Sequence, residues 1–225
     1  MSDDPAASNP FQRPDKPVRP RGEFYRRGER RVEKFIEAAT EVFLEKGYRD
    51  TRLSDVVARS GGSYSTLYSA FGDKPGLAMA IMERSIAAFG ESLDLLDRSD
   101  LPPEQALPAA AERMVEEILS PGRIVTHRIV VAEGLNFPEL RDWFMENGVT
   151  PAERQLSAYF EREQQHGRLI LEHAPVAANR FYMMVFGGLI LRSVNGYVGM
   201  ADLEMARQDA REAVSIFLSG VLPRP

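Results

Sequence analysis

Cysteine is absent from the 225-residue sequence. That excludes a disulfide scaffold, a thiolate zinc site, an iron–sulfur cluster and a cysteine nucleophile. No uninterrupted apolar run approaches the roughly 20 residues of a membrane helix; the longest candidate, around 181–191, contains Gly187 and Gly188. The first residues lack the charged-then-apolar order of a secretory leader. No P-loop, GxGxxG, GxSxG or HExxH motif is present, so no catalytic residue is assigned and no enzyme is expected. His127, His166 and His173 lack a common metal-ligand spacing, and the adjacent Glu116 and Glu117 point about 100° apart on a helix. No metal and no cofactor are expected. Sustained period-two alternation with hairpin turns is missing too, as is any internal repeat, so no sheet is expected. The length allows one or two domains with a real core. A soluble, cytoplasmic protein with no membrane partner is the expectation.

The charge is unevenly spread. The formal net charge is −5, yet residues 1–84 carry +2 and residues 85–225 carry −7. Residues 11–31 alone reach +5, through Arg13, Lys16, Arg19, Arg21, Arg26, Arg27, Arg30 and Arg31 against three acidic groups. A basic end on an acidic body suits a polyanion met by that end, or a merely solubilising tail. Pro5, Pro10, Pro14, Pro17 and Pro20 exclude helix over the first residues, and the stretch 1–27 reads as a flexible Pro/Arg-rich arm. Basic arms of this kind add phosphate or minor-groove contacts.

From about Gly28 the pattern turns helical. Val32, Phe35, Ile36, Ala39 and Phe43 form one apolar face, with Gly47 as the stop. Thr51 is a plausible N-cap for a short helix carrying Leu53, Val56 and Val57, with Asp55 in its first turn. Gly61-Gly62 ends it, Ser63 caps the next helix to about Phe71, and Lys74-Pro75 opens a longer one to about Leu96. Further helices are expected near 104–119, 122–135, 138–147, 151–167, 175–198 and 202–219, punctuated by prolines. The fold class is all-α.

A helix of about 17 residues followed by two short helices around a glycine turn has the layout of a helix-turn-helix, whose second short helix enters the DNA major groove. On the wheel of 63–71, Tyr64, Ser65, Tyr68 and Ser69 share one arc, opposite Leu67, Ala70 and Phe71. Hydroxyls donate or accept at base edges and phosphates, and tyrosine rings meet a thymine methyl. The bland alternative is a solvated face, on which two neighbouring tyrosines are uncommon.

The stretch Glu29–Ser85 resembles the TetR-type bacterial transcriptional regulators. The resemblance rests on "AATEVFLEKGY", the opening at Thr51, and "GGSYSTLYSAFGDK", which is similar to the family's Gly-Val-Ser-x-x-Thr-Leu-Tyr-x-x-Phe-x-x-Lys. It implies a DNA-binding domain over 28–88. Thr51 and Arg52 would touch phosphates through side chain or backbone N–H at a helix N-terminus. Ser63, Tyr64, Ser65, Thr66, Tyr68 and Ser69 would form the recognition helix, and Lys74 would hold a phosphate. Thr66 is equally placed for capping and packing. Gly62 stands where a small branched residue is usual, implying a looser turn. Tyr64 stands where a basic residue is common, leaving Arg49, Arg52, Lys74 and the arm to supply positive charge.

Residues 89–225 carry an apolar inventory that is mostly core: Phe89, Met114, Ile118, Val130, Leu135, Phe137, Trp143, Phe144, Tyr159, Phe160, Phe181, Met184, Val185 and Leu189. A bundle this rich in methionine and aromatics can also enclose an adaptable cavity. This half is similar to the helical effector-binding and dimerisation domain of the same family, and "RIVVAEGLNFPELRDWF" resembles its AefR-like subgroup. The resemblance implies a small apolar or amphipathic effector, with Phe89, Met114, His127, Phe137, Trp143, Phe144, Tyr159, Phe181 and Met184 as candidate lining. It also implies a homodimer through the last two helices, near 176–198 and 202–218, with Phe186, Gly187, Leu191, Val194, Val214, Phe217 and Leu218 at the interface. Gly187-Gly188 serves either close helix approach or a local kink. The expected function is a ligand-responsive repressor whose two recognition helices, about 34 Å apart, bind a palindromic double-stranded DNA operator. The helix opened by Lys74 is the expected lever. A catalytic ligand domain and a protein-binding module are the rival readings.

Overall fold

A computed structural model describes residues 21–223 of the chain. Eleven α-helices follow one another in the described residues, with no strand among them. The all-α class follows from the 3.6-residue apolar periodicity that recurs after every turn.

Helix α1 runs Arg21–Lys46, starting earlier than the expected Gly28. Pro20 is the last proline of the N-terminal stretch, and nothing from Arg21 to Lys46 forbids helix. Arg21, Arg26 and Arg27 therefore belong to α1, while Arg13, Lys16 and Arg19 lie outside the described residues. Gly47, at φ 81°, ends α1. α2 (Leu53–Ser60) and α3 (Tyr64–Phe71) follow. α4 (Lys74–Asp97) begins with Pro75 in its first turn, and the Asp73 carboxylate accepts the Gly76 N–H at 2.8 Å.

The second half contains α5 (Pro103–Leu119), α6 (Pro121–Ala132), α7 (Pro138–Phe144), α8 (Thr150–Gln165), α9 (Ala174–Tyr182), α10 (Gly188–Val194) and α11 (Leu203–Val221). α7 and α8 are joined without a break by a π-helical segment, Met145–Val149. Pro151 therefore does not separate two helices: it falls just after the wide turn, where its missing N–H is tolerated. A second π segment, Met183–Gly187, joins α9 to α10. α6 stops at Ala132, and Leu135, expected in the core, is 91% exposed in the turn beyond it.

Two cores result. One gathers Phe35, Phe43 and Val56 with Leu67, Leu77 and Ile81 from the first four helices. It also takes Val125 and Ile129 from α6 and Leu140 and Phe144 from α7. The other joins Phe89 and Leu93 of α4 to α5, α8, α9 and α11, with Phe160 stacked on Phe217 at 5.5 Å. A boundary at residue 89 thus cuts through α4, which is buried in both cores along its length. Ser85 and Thr126 tie α4 to α6 through a 3.2 Å hydroxyl contact.

The continuous helix Ala174–Val194 is long and apolar enough by composition to cross a bilayer, although the interrupted run suggested otherwise. A third of its most apolar window is buried in the bundle.

Candidate nucleic-acid interface and buried cavity

α3 is held in place by features that can be traced residue by residue. Gly61, at φ 65°, ends α2 in the left-handed region. Ser63 caps α3, its hydroxyl accepting the Thr66 N–H at 3.2 Å and lying 2.9 Å from the Thr66 hydroxyl. Thr66 is therefore half-buried and engaged in capping. Leu67 is fully buried, and Phe71 meets Phe35 edge to face at 6.2 Å. Ala70, expected on the inner side, is exposed. Tyr64 and Tyr68 are about half exposed and stack on each other with centroids 6.4 Å apart; Ser65 and Ser69 are exposed beside them.

The space beside Gly62 is filled. A Cβ at this position would lie 2.3 Å from Cζ of Phe35. The phenyl ring occupies the volume where a branched side chain would sit.

The basic groups divide sharply. Lys74 donates from Nζ to the carbonyls of Tyr48 (2.9 Å), Arg49 (3.1 Å) and Thr51 (3.1 Å), and lies 4.7 Å from the Tyr48 ring centroid. An ammonium has three N–H donors, and all three are engaged within the protein. Burial holds the Lys74 ammonium below the usual lysine range. Thr51 is 2% exposed, its hydroxyl turned onto the Gly47 carbonyl at 2.7 Å, so Arg52 takes the N-cap position of α2 instead. The Arg52 N–H donates to Asp55 at 3.1 Å, leaving its exposed side chain for any phosphate. Arg49 pairs with Glu133 at 2.7 Å. Of Arg49, Arg52 and Lys74, Arg52 alone has no side-chain partner among the described residues.

A cavity of about 120 Å³ lies between α4, α5, α6, α7, α8, α9 and the π segment Met145–Val149. Phe89, Met114 and Phe144 line it, together with Ile86, Leu93 and Tyr182. The other six candidates lie elsewhere. Phe137 packs edge to face on Tyr48 at 4.8 Å, and Trp143 lies against the N-terminal core. Tyr159 and Phe181 fill the second core, Met184 is 43% exposed, and His127 is buried against Phe144 at 6.1 Å. Burial first, and the nearby Arg123 charge second, lower the His127 pKa to about 3.

Arg123 is the basic cavity residue that the sequence reasoning missed. It is 5% exposed, and its guanidinium lies 4.6 Å from the Phe89 ring and 5.9 Å from the Phe144 ring. The one available signal was an arginine inside the apolar run of α6. The arginine of the AefR-like pattern, Arg128, has a different task. It donates to the Val194 carbonyl at 3.1 Å and the Leu44 carbonyl at 3.3 Å, linking the ends of α10 and α1 through α6.

At the expected interface, Phe186, Val214, Phe217 and Leu218 are buried in the chain's own core. Val194 and Gly187 are half-buried, and Leu191 is 63% exposed. Met183, Met184, Tyr197, Met205 and Ile216 are exposed as well. Apolar residues lie on more than one face of these helices, and periodicity alone does not say which face turns inward.

Residues 35–81 match the model of the bacterial regulatory proteins of the TetR family, and residues 105–220, over half the chain, match the AefR-like transcriptional repressor C-terminal domain. The chain belongs to the TetR family. Its fold places it among solved TetR regulators: a putative TetR-family regulator from Mesorhizobium loti superposes with TM-score 0.73 at 20% identity, covering 88% of this chain and 99% of that one. The flavonoid-responsive regulator FrrA is 27% identical with TM-score 0.56, over 88% of this chain and all of the other. The transcriptional activator FasR of Mycolicibacterium smegmatis is 32% identical over 98 residues, 44% of each chain. The matched segment thus spans less than half of that relative's length.

Proposed function

We propose that this TetR-family chain is a homodimeric repressor that binds a palindromic operator and is released by a small molecule. The carrying observation is the outer face of α3: a stacked Tyr64–Tyr68 pair flanked by Ser65 and Ser69 on a rigidly capped helix. Exposing so much apolar ring surface to solvent gives no benefit, whereas a groove edge supplies both methyl and acceptor partners. Arg52 supplies a phosphate contact beside it. The apolar groups exposed along α9–α11, with Leu191, Met183 and Ile216 foremost, are the surface that a second copy covers. Gly188 has open space at its Cβ position, which permits close approach.

Release follows from the two helices that reach from the cavity to the DNA-binding core. α4 carries Phe89 and Leu93 into the cavity and Leu77 into the DNA-binding core. α6 carries Arg123 into the cavity and, just over a turn later, Arg128 onto α1. An effector that prefers one arrangement of α4 and α6 shifts the separation of the two recognition helices by its differential affinity.

Selection of random duplex DNA on the purified protein at fixed, near-physiological salt tests the reading. An enriched palindrome with half-sites about ten base pairs apart is expected. Weak, sequence-independent, salt-sensitive binding alone refutes it.

A further inference from the structure

Most buried or half-buried charges among the described residues are paired. Glu163, fully buried, lies 2.6 Å from Arg168 and 3.3 Å from Arg162. Arg128 finds two helix-end carbonyls. Arg123, the one buried arginine among the described residues, finds no such partner. No carboxylate among the described residues comes within 4.0 Å of it, no side-chain hydrogen bond is made, and its Nε is fully buried without a partner. Its surroundings are two phenyl rings, whose faces attract the cation but leave the in-plane N–H donors unused. Desolvation accordingly holds its pKa below the usual arginine range. A lone buried cation is strongly unfavourable unless a counter-charge arrives.

The cavity beside it defines the size and charge of that counter-ion. Its walls are apolar apart from Arg123 and a few groups such as Asn147 and Glu153, both exposed, which mark the end open to solvent. Arg123 is its one basic lining residue and Glu153 its one acidic one. A dianion would keep an uncompensated charge there, so a monoanion fits. A planar carboxylate matches the guanidinium fork with two parallel N–H···O bonds. At roughly 10–15 Å³ per water-sized probe, 120 Å³ accommodates about ten such groups.

Resting on the reading of this cavity as the effector site, we propose that it takes a small apolar monocarboxylate, of about ten non-hydrogen atoms, whose carboxylate pairs with Arg123 at the buried end. The apolar body then lies against Ile86, Leu93, Met114 and Leu156. Pairing draws on a helix that also holds α1 through Arg128, so the anion acts on an element of the DNA-binding core.

Calorimetric titration of the full chain with octanoate and 3-phenylpropionate, against octanamide and 3-phenylpropionamide, tests the assignment. Each acid is expected to bind about tenfold or more tightly than its amide. Arg123→Met should abolish that preference while still binding the amides, and Arg123→Lys should keep part of it. The acid–amide comparison in the unaltered protein needs no variant to fold. Equal binding of acid and amide, a preference that survives Arg123→Met, or no binding of either acid at millimolar concentration overturns the proposal. Operator affinity, measured alongside on the selected palindrome, separates the two readings. Arg123-dependent binding that leaves operator affinity unchanged supports the carboxylate site and removes the effector role. Operator release by the amides as readily as by the acids keeps that role and overturns the anion.

Discussion

Replacing Gly62 by alanine puts one methyl group into a place already filled. The new Cβ would lie 2.3 Å from Cζ of Phe35 and 3.0 Å from each Cε. Ordinary carbon contacts are roughly 3.5–4.0 Å, so ring and methyl must separate by more than an ångström. The ring cannot simply swing aside: Phe35 is 1% exposed and packs edge to face on Phe71. Overpacking of this kind costs about 1–3 kcal/mol. Against it stands the loss of glycine's freedom in the unfolded chain, which stabilises alanine variants by about 0.4–1 kcal/mol. The steric effect wins, and Gly62→Ala should destabilise by about 1–2 kcal/mol. For a chain of this size that lowers the melting temperature by roughly 2–8 °C. Phe35→Leu empties the site, so the double variant should show a favourable coupling of at least ~0.5 kcal/mol relative to the sum of the single changes. Thermal and denaturant unfolding of the four proteins measures this cycle. Additive effects, or an alanine variant more stable than the original, would refute the argument that the Phe35 ring takes the place of a side chain at 62.

Lys74→Met should cost about 2–4 kcal/mol, because three charge-assisted bonds to loop carbonyls are lost from a half-buried site; urea unfolding checks it. The same change should leave the salt slope of operator binding intact, whereas a lost phosphate contact would reduce it by about 0.9. Arg123→Met, without ligand, should raise stability by about 1–3 kcal/mol, since an unpaired buried charge gives way to an apolar group of similar length; a destabilised variant would contradict the isolation of that charge. His127 has a folded pKa of about 3 against about 6.5 unfolded. The unfolded state alone therefore takes the proton between these values, and this contribution to stability falls as pH drops from 6.5 toward 3. His127→Leu removes it, so the stability of that variant relative to the original should rise by about 2 kcal/mol between pH 7 and pH 5, read from denaturant midpoints at the two pH values. Tyr64→Ala and Tyr68→Ala should change stability by under about 1 kcal/mol, as half-exposed residues do, while weakening operator binding about tenfold in fluorescence anisotropy, the scale of one lost groove-edge contact. Unchanged affinity would remove the tyrosine stack from the interface.

What the linear sequence determined is what depends on neighbours a few residues away. Glycine stops, the Ser63 cap and the 3.6-residue spacing of apolar groups are local, and they made the all-α class and the helix-turn-helix legible. The exposure of Tyr64, Ser65, Tyr68 and Ser69 on one arc follows from the same period. Tertiary structure decided everything that depends on what arrives from elsewhere in the chain. The Phe35 ring fills the space at Gly62 from 27 residues away, and three loop carbonyls take up the donors of Lys74, which the motif alone set against a phosphate. Phe186, Val214 and Phe217 face inward and Leu191 outward because α9–α11 have apolar groups on several faces and packing chooses among them. The cavity is set by the same kind of choice. Phe89, Met114 and Phe144 meet there only because α4, α5 and α7 converge, and that convergence leaves Arg123, an unremarked residue in an apolar run, buried without a partner. Local pattern encodes the helices; long-range contact alone encodes which of their side chains are left with something to bind.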